Sequence, residues 1–264
     1  MIRCIAIDLD DTLLRTDLTI AGPDREAISR AVAKGIKVLL ASGRMVQSMK
    51  PYAEELGLDV PLIAYNGAIV QEAVSGEILY HRPVPSREAL EVLAIFRQND
   101  IHLNVYINDQ LYMDQLTPWG ERYAANARVK PHVADLADLL AKHPSHKLLG
   151  VGEVERIDAL QKRLQSQFGD TLYFVKSKPT YLEILASGVS KGRALQELAD
   201  GWGFSPEEVM AIGDAPNDLS MITWAGTGVA IGNAAENVKK EADFVVSDHD
   251  HCGVAEAIRR VVGV

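Results

Sequence analysis

The chain has 264 residues, of which 47% are apolar and 24% are charged, a composition typical of a folded globular protein rather than a disordered one. Its 36 acidic and 27 basic side chains give a formal charge of −9, which argues against nucleic-acid binding and against binding to anionic membranes. No stretch approaches the ~18 consecutive apolar residues of a membrane span. The N-terminal apolar run meets acids at Asp8, unlike a signal peptide.

The cysteine content and the charge together predict a cytoplasmic protein with no nucleic-acid or membrane partner. Cys4 and Cys252 are too few for a disulfide framework, and we expect both to be reduced and buried, as is usual in that compartment. Two pairs of histidines lie in predicted loops, His143 with His146 and His249 with His251. Neither pair has a cysteine or glutamate at zinc-binding spacing, so we expect surface histidines.

Short apolar segments alternate with segments of helical periodicity through the first third of the chain. The sequence predicts strands at residues 2–8, 36–41 and 61–65, and helices at residues 23–34 and from about 45 to 56. Gly35 and Gly57 directly follow these helices, where glycine commonly ends a helix. Strands that are almost continuously apolar and separated by helices indicate a parallel sheet that is covered on both faces.

The last quarter of the chain repeats this alternation. Its predicted helices cover residues 191–199, 218–224, 234–241 and 254–261, and its predicted strands cover residues 208–212, 228–231 and 244–246. Together with the first third, this pattern predicts an α/β fold with a doubly wound, Rossmann-like parallel sheet.

The middle of the chain has a different pattern. Residues 68–80 predict a hairpin that turns at Ser75-Gly76. Five further strands, with more alternation and more aromatic residues, are predicted at residues 102–107, 111–113, 147–152, 171–175 and 181–185. Turn pairs such as Asn108-Asp109 suggest antiparallel pairing between two helical segments. We therefore predict a discontinuous core domain, residues 1–83 and 188–264, with an inserted α+β domain at residues 84–187.

Polar side chains follow four of the predicted core elements, and ligands of open parallel sheets bind beyond the carboxyl ends of the strands. Asp8 and Asp10 end the first strand and face the same way if the chain is extended. Ser42-Gly43 opens a helix after the second strand, as an anion site does. Lys191 begins the helix where the core resumes, and residues 213–218 add further acids and a carboxamide.

Each of these features alone has an ordinary explanation. Acids after strands commonly cap turns, serine and asparagine commonly cap helices, and a single lysine is usually solvated. The combination is more informative, because two close carboxylates repel each other unless a cation lies between them. Acids, a hydroxyl group and a lysine at neighbouring strand ends are the groups that phosphoryl transfer needs. The residues themselves leave open whether Asp8 or Asp10 attacks.

The sequence resembles the haloacid dehalogenase superfamily and, within it, the Cof-type phosphatases with an inserted class-two (type IIB) cap. The resemblance covers nearly the whole core, whereas the inserted domain matches in length and position more than in sequence. One departure is Asp11, where many relatives have glycine. The motifs that carry the resemblance are, in chain order, DLDDT (8–12), ASGR (41–44), YNGA (65–68), SKG (190–192), GDAPND (213–218) and GVAIGNA (228–234).

The resemblance implies a Mg²⁺-dependent phosphatase of small phosphomonoesters, such as sugar phosphates, that works through an aspartyl-phosphate. It implies that Asp8 is the nucleophile and that Asp10 is the general acid and base. The implied ligands of Mg²⁺ are Asp8, the backbone carbonyl of Asp10, and Asp214. Asp218 is expected to orient Lys191 or metal-bound water. The implied phosphate-binding residues are Leu9, Ser42, Gly43, Lys191 and Asn217.

Several points stay open at this stage. Arg44, Asn66 and Gly67 follow core strands and are candidates either for substrate contact or for packing. A phosphomutase of the same superfamily would pass the phosphoryl group from the aspartate to a second hydroxyl group instead of to water. A non-catalytic regulator would be phosphorylated on aspartate and would signal through a partner. The expected ligand is a small phosphorylated metabolite, and the sequence is compatible with both a monomer and a homodimer.

Overall fold

The computed structural model describes residues 1–264 and divides them into two compact units. The core unit comprises residues 1–43, 49–80 and 190–264, and the inserted unit comprises residues 44–48 and 81–189. Residues 44–48 join the inserted unit although the sequence places them in the core. The reason is visible in two hydrogen bonds, because the backbone N–H groups of Val46 and Gln47 donate to the Asp109 carboxylate at 3.0 and 2.7 Å.

The N-terminal part of the chain alternates strands and helices. Its elements are β1 (Cys4–Asp8), α1 (Gly22–Ala33), β2 (Lys37–Ala41), α2 (Val46–Glu55), β3 (Pro61–Ala64), β4 (Ile69–Glu72) and β5 (Ile78–His81). Every residue of β1 and β3 is buried, as expected for strands covered on both faces of a sheet. Gly35 has a φ of +81°, a conformation that glycine adopts without strain, so α1 ends at the predicted place.

The inserted unit contains four helices, so the prediction of two helical segments is wrong. Its elements are α3 (Ser86–Gln98), β6 (His102–Ile107), β7 (Gln110–Met113), α4 (Pro118–Ala127), β8 (Pro131–Val133), α5 (Leu136–Lys142), β9 (Lys147–Val151), α6 (Val154–Phe168), β10 (Leu172–Lys178) and β11 (Tyr181–Ala186). The unpredicted α4 and α5 are capped by Thr117 and Asp135, whose side chains accept hydrogen bonds from the first-turn N–H groups.

The C-terminal part of the core unit resumes with a helix. Its elements are α7 (Lys191–Trp202), β12 (Val209–Gly213), α8 (Leu219–Trp224), β13 (Thr227–Ala230), α9 (Glu236–Glu241), β14 (Phe244–Val245) and α10 (Gly253–Val262). The side chain of Ser190 caps α7 by accepting a hydrogen bond from the N–H of Arg193 at 3.1 Å. None of the helices in the chain is both long enough and apolar enough to cross a membrane.

An eight-stranded sheet in the order β14-β13-β12-β1-β2-β3-β4-β5 forms the centre of the core unit. Strand β1 lies in the middle and runs parallel to both β2 and β12. Only the hairpin at one edge departs from this pattern, since β4 is antiparallel to β3. The carboxyl ends of β1, β2 and β12 therefore meet at one edge of the sheet, where a ligand is expected.

A six-stranded sheet in the order β10-β11-β9-β6-β7-β8 forms the inserted unit. Its strands pair antiparallel except for β7 and β8, which are parallel, so the prediction of antiparallel pairing holds for all but this edge. One face of the sheet packs in an apolar cluster with α3 and α6, including Phe96, Val105 and Leu164. Polar side chains are also buried in this unit, among them Asn104, Lys147 and Glu183.

Two expectations about burial are wrong. Cys252 is partly exposed, whereas Cys4 is buried as expected, and both are free thiols. His146 is buried rather than on the surface. Its Nδ1 lies 2.9 Å from Nε2 of His81, and burial, with a smaller contribution from His81, lowers the pKa of His146 to about 4.

Candidate active site

A buried lysine lies between two carboxylates at the carboxyl edge of the core sheet. Nζ of Lys191 donates to Oδ1 of Asp8 at 2.5 Å and to Oδ1 of Asp218 at 2.6 Å. None of these three side chains is more than 6% exposed. Burial opposes the positive charge, but the carboxylates of Asp218 and Asp8 outweigh it and raise the pKa of Lys191. The lysine therefore stays protonated and supplies a fixed positive charge.

Negative charge exceeds positive charge at this place. Carboxylate oxygens of Asp8, Asp214 and Asp218 lie within 4.8 Å of one another. Burial raises the pKa of Asp8 well above its ordinary value, the charge of Asp218 adds to this effect, and Lys191 opposes it. Burial, and after it the charge of Asp218, raises the pKa of Asp214 to about 7. Burial is the larger cause of both shifts and the charge of Asp218 is the second; a bound cation would offset both.

Asp218 uses both of its carboxylate oxygens inside the protein. Oδ1 accepts from Lys191, and Oδ2 accepts from the backbone N–H groups of Asp214 at 3.1 Å and Ala215 at 3.0 Å. Gly213 permits this arrangement, because a Cβ there would lie 2.5 Å from the Cβ of Asp218. Asp218 thus contacts both Lys191 and the loop that presents Asp214.

The chain turns sharply after β1. Residues Leu9–Leu13 form a turn closed by a hydrogen bond from Leu14 N–H to Leu9 carbonyl oxygen at 2.8 Å. Within the turn, Asp10 is extended, but Asp11 has a φ of +57°. This left-handed conformation suits glycine, and aspartate also tolerates it.

The turn separates Asp10 from the buried acids. The side chain of Asp10 is exposed and is not among the three carboxylates that lie within 4.8 Å of one another. It still makes a contribution, the smallest one, to the raised pKa of Asp8. The sequence argument treated residues 8–10 as extended chain, but Leu9 between the two aspartates has helical backbone geometry and begins the turn, so the side-chain alternation of an extended strand does not apply to Asp8 and Asp10.

The remaining predicted phosphate-binding residues lie around this cluster. Ser42 is buried, and its backbone carbonyl accepts from the N–H of Asn66 at 3.0 Å. Nδ2 of Asn217 donates to Oδ1 of Asn66 at 2.9 Å, so Asn66 orients the Asn217 carboxamide. A Cβ on Gly43 would lie 3.0 Å from Oδ1 of the same asparagine. The side chain of Leu9 is fully buried, which leaves its backbone for contact with a ligand.

Two of the three candidates for substrate contact have packing or orienting roles. Gly67 has a φ of +95°, and a Cβ there would lie 2.3 Å from the carbonyl oxygen of Ser190. Glycine at this position lets the turn after β3 approach the N-terminus of α7, which carries Lys191. Asn66 contacts Asn217. Arg44 belongs to the short segment that groups with the inserted unit.

Two functional side chains were missed by the sequence argument. The buried hydroxyl group of Thr12 donates to Oδ1 of Asp214 at 2.9 Å. Nδ2 of Asn233 donates to the backbone carbonyl of Asp11 at 2.8 Å. Thr12 lies within the motif DLDDT, and Asn233 lies within GVAIGNA. Their place in these motifs could have identified them, but neither residue type alone indicated a hydrogen-bond partner.

The chain matches one family along almost its whole length. The family model for haloacid dehalogenase-like hydrolases matches residues 5–258. The chain is 31% identical to the 5-amino-6-(5-phospho-D-ribitylamino)uracil phosphatase YwtE of Bacillus subtilis, with 98% of each chain covered. It is 30% identical to the pyridoxal phosphate phosphatase YbhA of Escherichia coli, with 97% of each chain covered.

A solved structure agrees with these sequence relatives. The crystal structure of a haloacid dehalogenase-like hydrolase from Bacteroides thetaiotaomicron superposes with a TM-score of 0.90 at 32% identity. The match covers 99% of this chain and 100% of that one. The chain therefore belongs to the haloacid dehalogenase-like hydrolases, which confirms the family, the α/β fold class and the hydrolase class expected from its sequence.

Proposed function

We propose that the protein is a Mg²⁺-dependent phosphatase that hydrolyses small phosphomonoesters through a phosphorylated Asp8. The observation that carries this proposal is the contact of the buried Lys191 with Asp8 and Asp218, with Asp214 close by. A carboxylate beside a fixed ammonium group is suited to attack phosphorus, because the ammonium group attracts the anionic ester. The relatives named above are phosphatases of phosphorylated metabolites.

The donor atoms of the site fit Mg²⁺, which prefers carboxylate and carbonyl oxygens. Asp8, Asp214 and the backbone carbonyl of Asp10 would hold it. The raised pKa values of Asp8 and Asp214 support a cation here, because ionising both acids is costly without one. When bound, Mg²⁺ offsets the negative charge of the phosphoryl group and of the acids.

The protein's own residues divide the reaction into two steps. A carboxylate oxygen of Asp8 attacks phosphorus, the bond from phosphorus to the ester oxygen breaks, and Asp10 donates a proton to the leaving oxygen. Asp10 then takes a proton from water, whose oxygen attacks the phosphorus bound to Asp8; the bond from phosphorus to the Asp8 oxygen breaks, which restores the carboxylate and releases inorganic phosphate. The phosphoryl oxygens are bound by Lys191, the Ser42 hydroxyl group, the backbone N–H groups of Leu9 and Gly43, and the Asn217 amide.

The substrate class follows from the relatives. Pyridoxal phosphate and 5-amino-6-(5-phospho-D-ribitylamino)uracil, which two of them are named for, are small polar metabolites that carry one phosphate group. We infer a substrate of this kind, with sugar phosphates included. Arg44 stays a candidate for contact with the part of the substrate beyond the phosphate.

The test is phosphate release from a panel of such metabolites by the purified protein. Activity should disappear with a chelator and return with Mg²⁺, and Asp8→Asn should lower kcat by about 10⁴-fold or more. Asp24→Asn is the matched control, because Asp24 is also a buried aspartate of the core unit but binds the N–H of Ala255 at 2.7 Å instead of the site. Equal activity of the two variants, or full activity in chelator, would contradict the proposal.

The same assay separates the alternative functions. Phosphate release over many turnovers without an added bisphosphate contradicts a phosphomutase. A protein that is phosphorylated once on aspartate and releases no phosphate in steady state is a regulator rather than a phosphatase.

A further inference from the structure

One side chain of the C-terminal part of the core unit, that of Asn233, donates a hydrogen bond to the backbone of the turn that carries Asp10. Nδ2 of Asn233 donates to the backbone carbonyl of Asp11 at 2.8 Å. Oδ1 of the same side chain accepts from the backbone N–H of His249 at 3.2 Å. Because a carboxamide that uses its donor and its acceptor has a defined orientation, Asn233 links two segments that lie far apart in sequence.

The turn needs such a contact to keep its shape. Asp11 has a left-handed backbone, with φ +57° and ψ 15°, which aspartate adopts less readily than glycine. The hydrogen bond between Leu14 and Leu9 closes the far end of the turn. The hydrogen bond from Asn233 is made to the carbonyl oxygen of Asp11, the residue directly after Asp10. It therefore holds the peptide group that follows the left-handed Asp11.

The segment on which Asn233 rests is itself fixed. Oδ1 of Asp248 accepts from the N–H groups of Asp250 at 3.0 Å and His251 at 3.1 Å. Beyond the turn, the N–H and hydroxyl groups of Thr16 donate to the Asp250 carboxylate at 3.0 and 2.7 Å. Asp11, through Asn233, and the chain after it, at Thr16, are therefore both tied to residues 248–251.

We propose that Asn233 is a positioning residue for the proton transfer carried out by Asp10. It holds the Asp11 carbonyl and so sets the direction in which the Asp10 carboxyl group points toward the leaving oxygen. The inference rests on the proposed function, in which Asp10 protonates that oxygen. A purely structural role would affect every substrate equally, whereas a positioning role matters only when the leaving group needs a proton.

The experiment compares two esters with different leaving groups. Asn233→Ala should lower kcat/KM roughly 10- to 100-fold for an alkyl phosphate such as glucose 6-phosphate, because small misplacements of a catalytic group are costly. It should lower kcat/KM less than about 3-fold for 2,4-dinitrophenyl phosphate, whose leaving group departs without a proton. Asn233→Asp should show the same selectivity, since it keeps the acceptor for His249 but loses the donor to Asp11.

The matched control is Asn99→Asp in the inserted unit, where Nδ2 of Asn99 also donates to a backbone carbonyl, that of Ile95, at 2.7 Å. It should leave the ratio of the two kcat/KM values unchanged. Equal losses of kcat/KM on both esters, or no loss on either, would overturn the inference. If Asn233→Ala does not fold, the same comparison is made with Asn233→Asp. A wild-type protein that hydrolyses neither ester contradicts the proposed function instead.

Discussion

Each unit of the molecule buries a lysine against carboxylate, and the two places differ in their balance of charge. In the core unit, Lys191 contacts Asp8 and Asp218, and Asp214 completes a group of three acids. Four charged side chains thus lie together there, and only one of them is positive.

The inserted unit has a balanced pair. Nζ of Lys147 donates to Oε2 of Glu183 at 2.9 Å and lies 5.1 Å from the centre of the Tyr106 ring. Both side chains of the pair are no more than 6% exposed, so they are buried as deeply as Lys191, Asp8 and Asp218. One ammonium group faces one carboxylate, and the aromatic ring gives further stabilisation to the cation. Burial of an ion pair is therefore not what distinguishes the candidate active site, whereas a surplus of like charge is.

The largest effect is expected from removing each lysine in turn. In the presence of a chelator, Lys191→Met and Lys147→Met should each lower the free energy of unfolding by about 3–5 kcal/mol, because each leaves buried carboxylate without its ammonium group. Mg²⁺ should restore much of the loss in Lys191→Met, where three acids remain together, and none of it in Lys147→Met. Denaturant unfolding in chelator and in Mg²⁺ measures both. The same response to Mg²⁺ in the two variants would show that the charge surplus does not matter.

A smaller change in the free energy of unfolding is expected when one acid of each unit is replaced by its neutral amide. The change should have opposite signs in the two units. The pKa of Asp8 is raised in the folded protein, so the folded state binds a proton more tightly than the unfolded chain, whose aspartates titrate near pH 4. Stability is therefore lost as pH rises above that value. At pH 8 without metal, Asp8→Asn should raise the free energy of unfolding, and at pH 4 the gain should disappear.

Glu183→Gln is the counterpart in the inserted unit. It replaces the carboxylate bound by Lys147 with a neutral amide, so it should destabilise the protein at pH 8. Thermal unfolding of both variants against wild type in chelator measures the two signs. Destabilisation by Asp8→Asn at pH 8 would be incompatible with crowding of ionised acids around Lys191.

The core unit was the more predictable of the two. Its strands are apolar runs followed directly by polar motifs, and the parallel arrangement brings Asp8 and Asp214 to one edge of the sheet. The sequence did not predict which hydrogen-bond donors and acceptors of the site contact each other. That Lys191 bridges Asp8 and Asp218 depends on contacts between residues far apart in sequence, and that Asp10 lies outside the group of three carboxylates depends on the turn that begins directly after Asp8.

The inserted unit was less predictable for local reasons. Strand β8 has only three residues and begins with Pro131, and proline weakens any strand pattern. Helix α4 contains Gly120, and glycine is a poor helix former. The side chains of His102 and Met113 lie so close to Gly120 that a Cβ there would be less than 3 Å from either. The burial of His146 arises from its contact with His81, far away in sequence. Weak local signals thus account for β8 and α4, whereas the position of His146 involves a tertiary contact.

The smallest expected effect concerns the pH dependence of Mg²⁺ binding. The pKa of Asp214 is about 7, since burial and Asp218 raise it against the opposing effects of the Thr12 hydrogen bond and Lys191. A metal ion binds the ionised carboxylate and releases the proton. The association constant for Mg²⁺ should therefore fall as the pH falls, by up to about 10-fold per pH unit for each proton that binding releases, and level off at the pH where Asp8 and Asp214 are both ionised. Calorimetry at pH 6, 7 and 8 in buffers of different ionisation enthalpy measures both the affinity and the protons released.

Thr12→Val sharpens this prediction, because it removes the hydrogen bond that lowers the pKa of Asp214 and keeps nearly the same shape. The pH at which the affinity levels off should move upward in this variant. In Lys147→Met it should stay in place, since Lys147 belongs to the balanced pair of the inserted unit. An affinity for Mg²⁺ that is constant from pH 6 to pH 8 would mean that Asp214 is already ionised in the metal-free protein, and the surplus of charge around Lys191 would then have no energetic consequence for the cation.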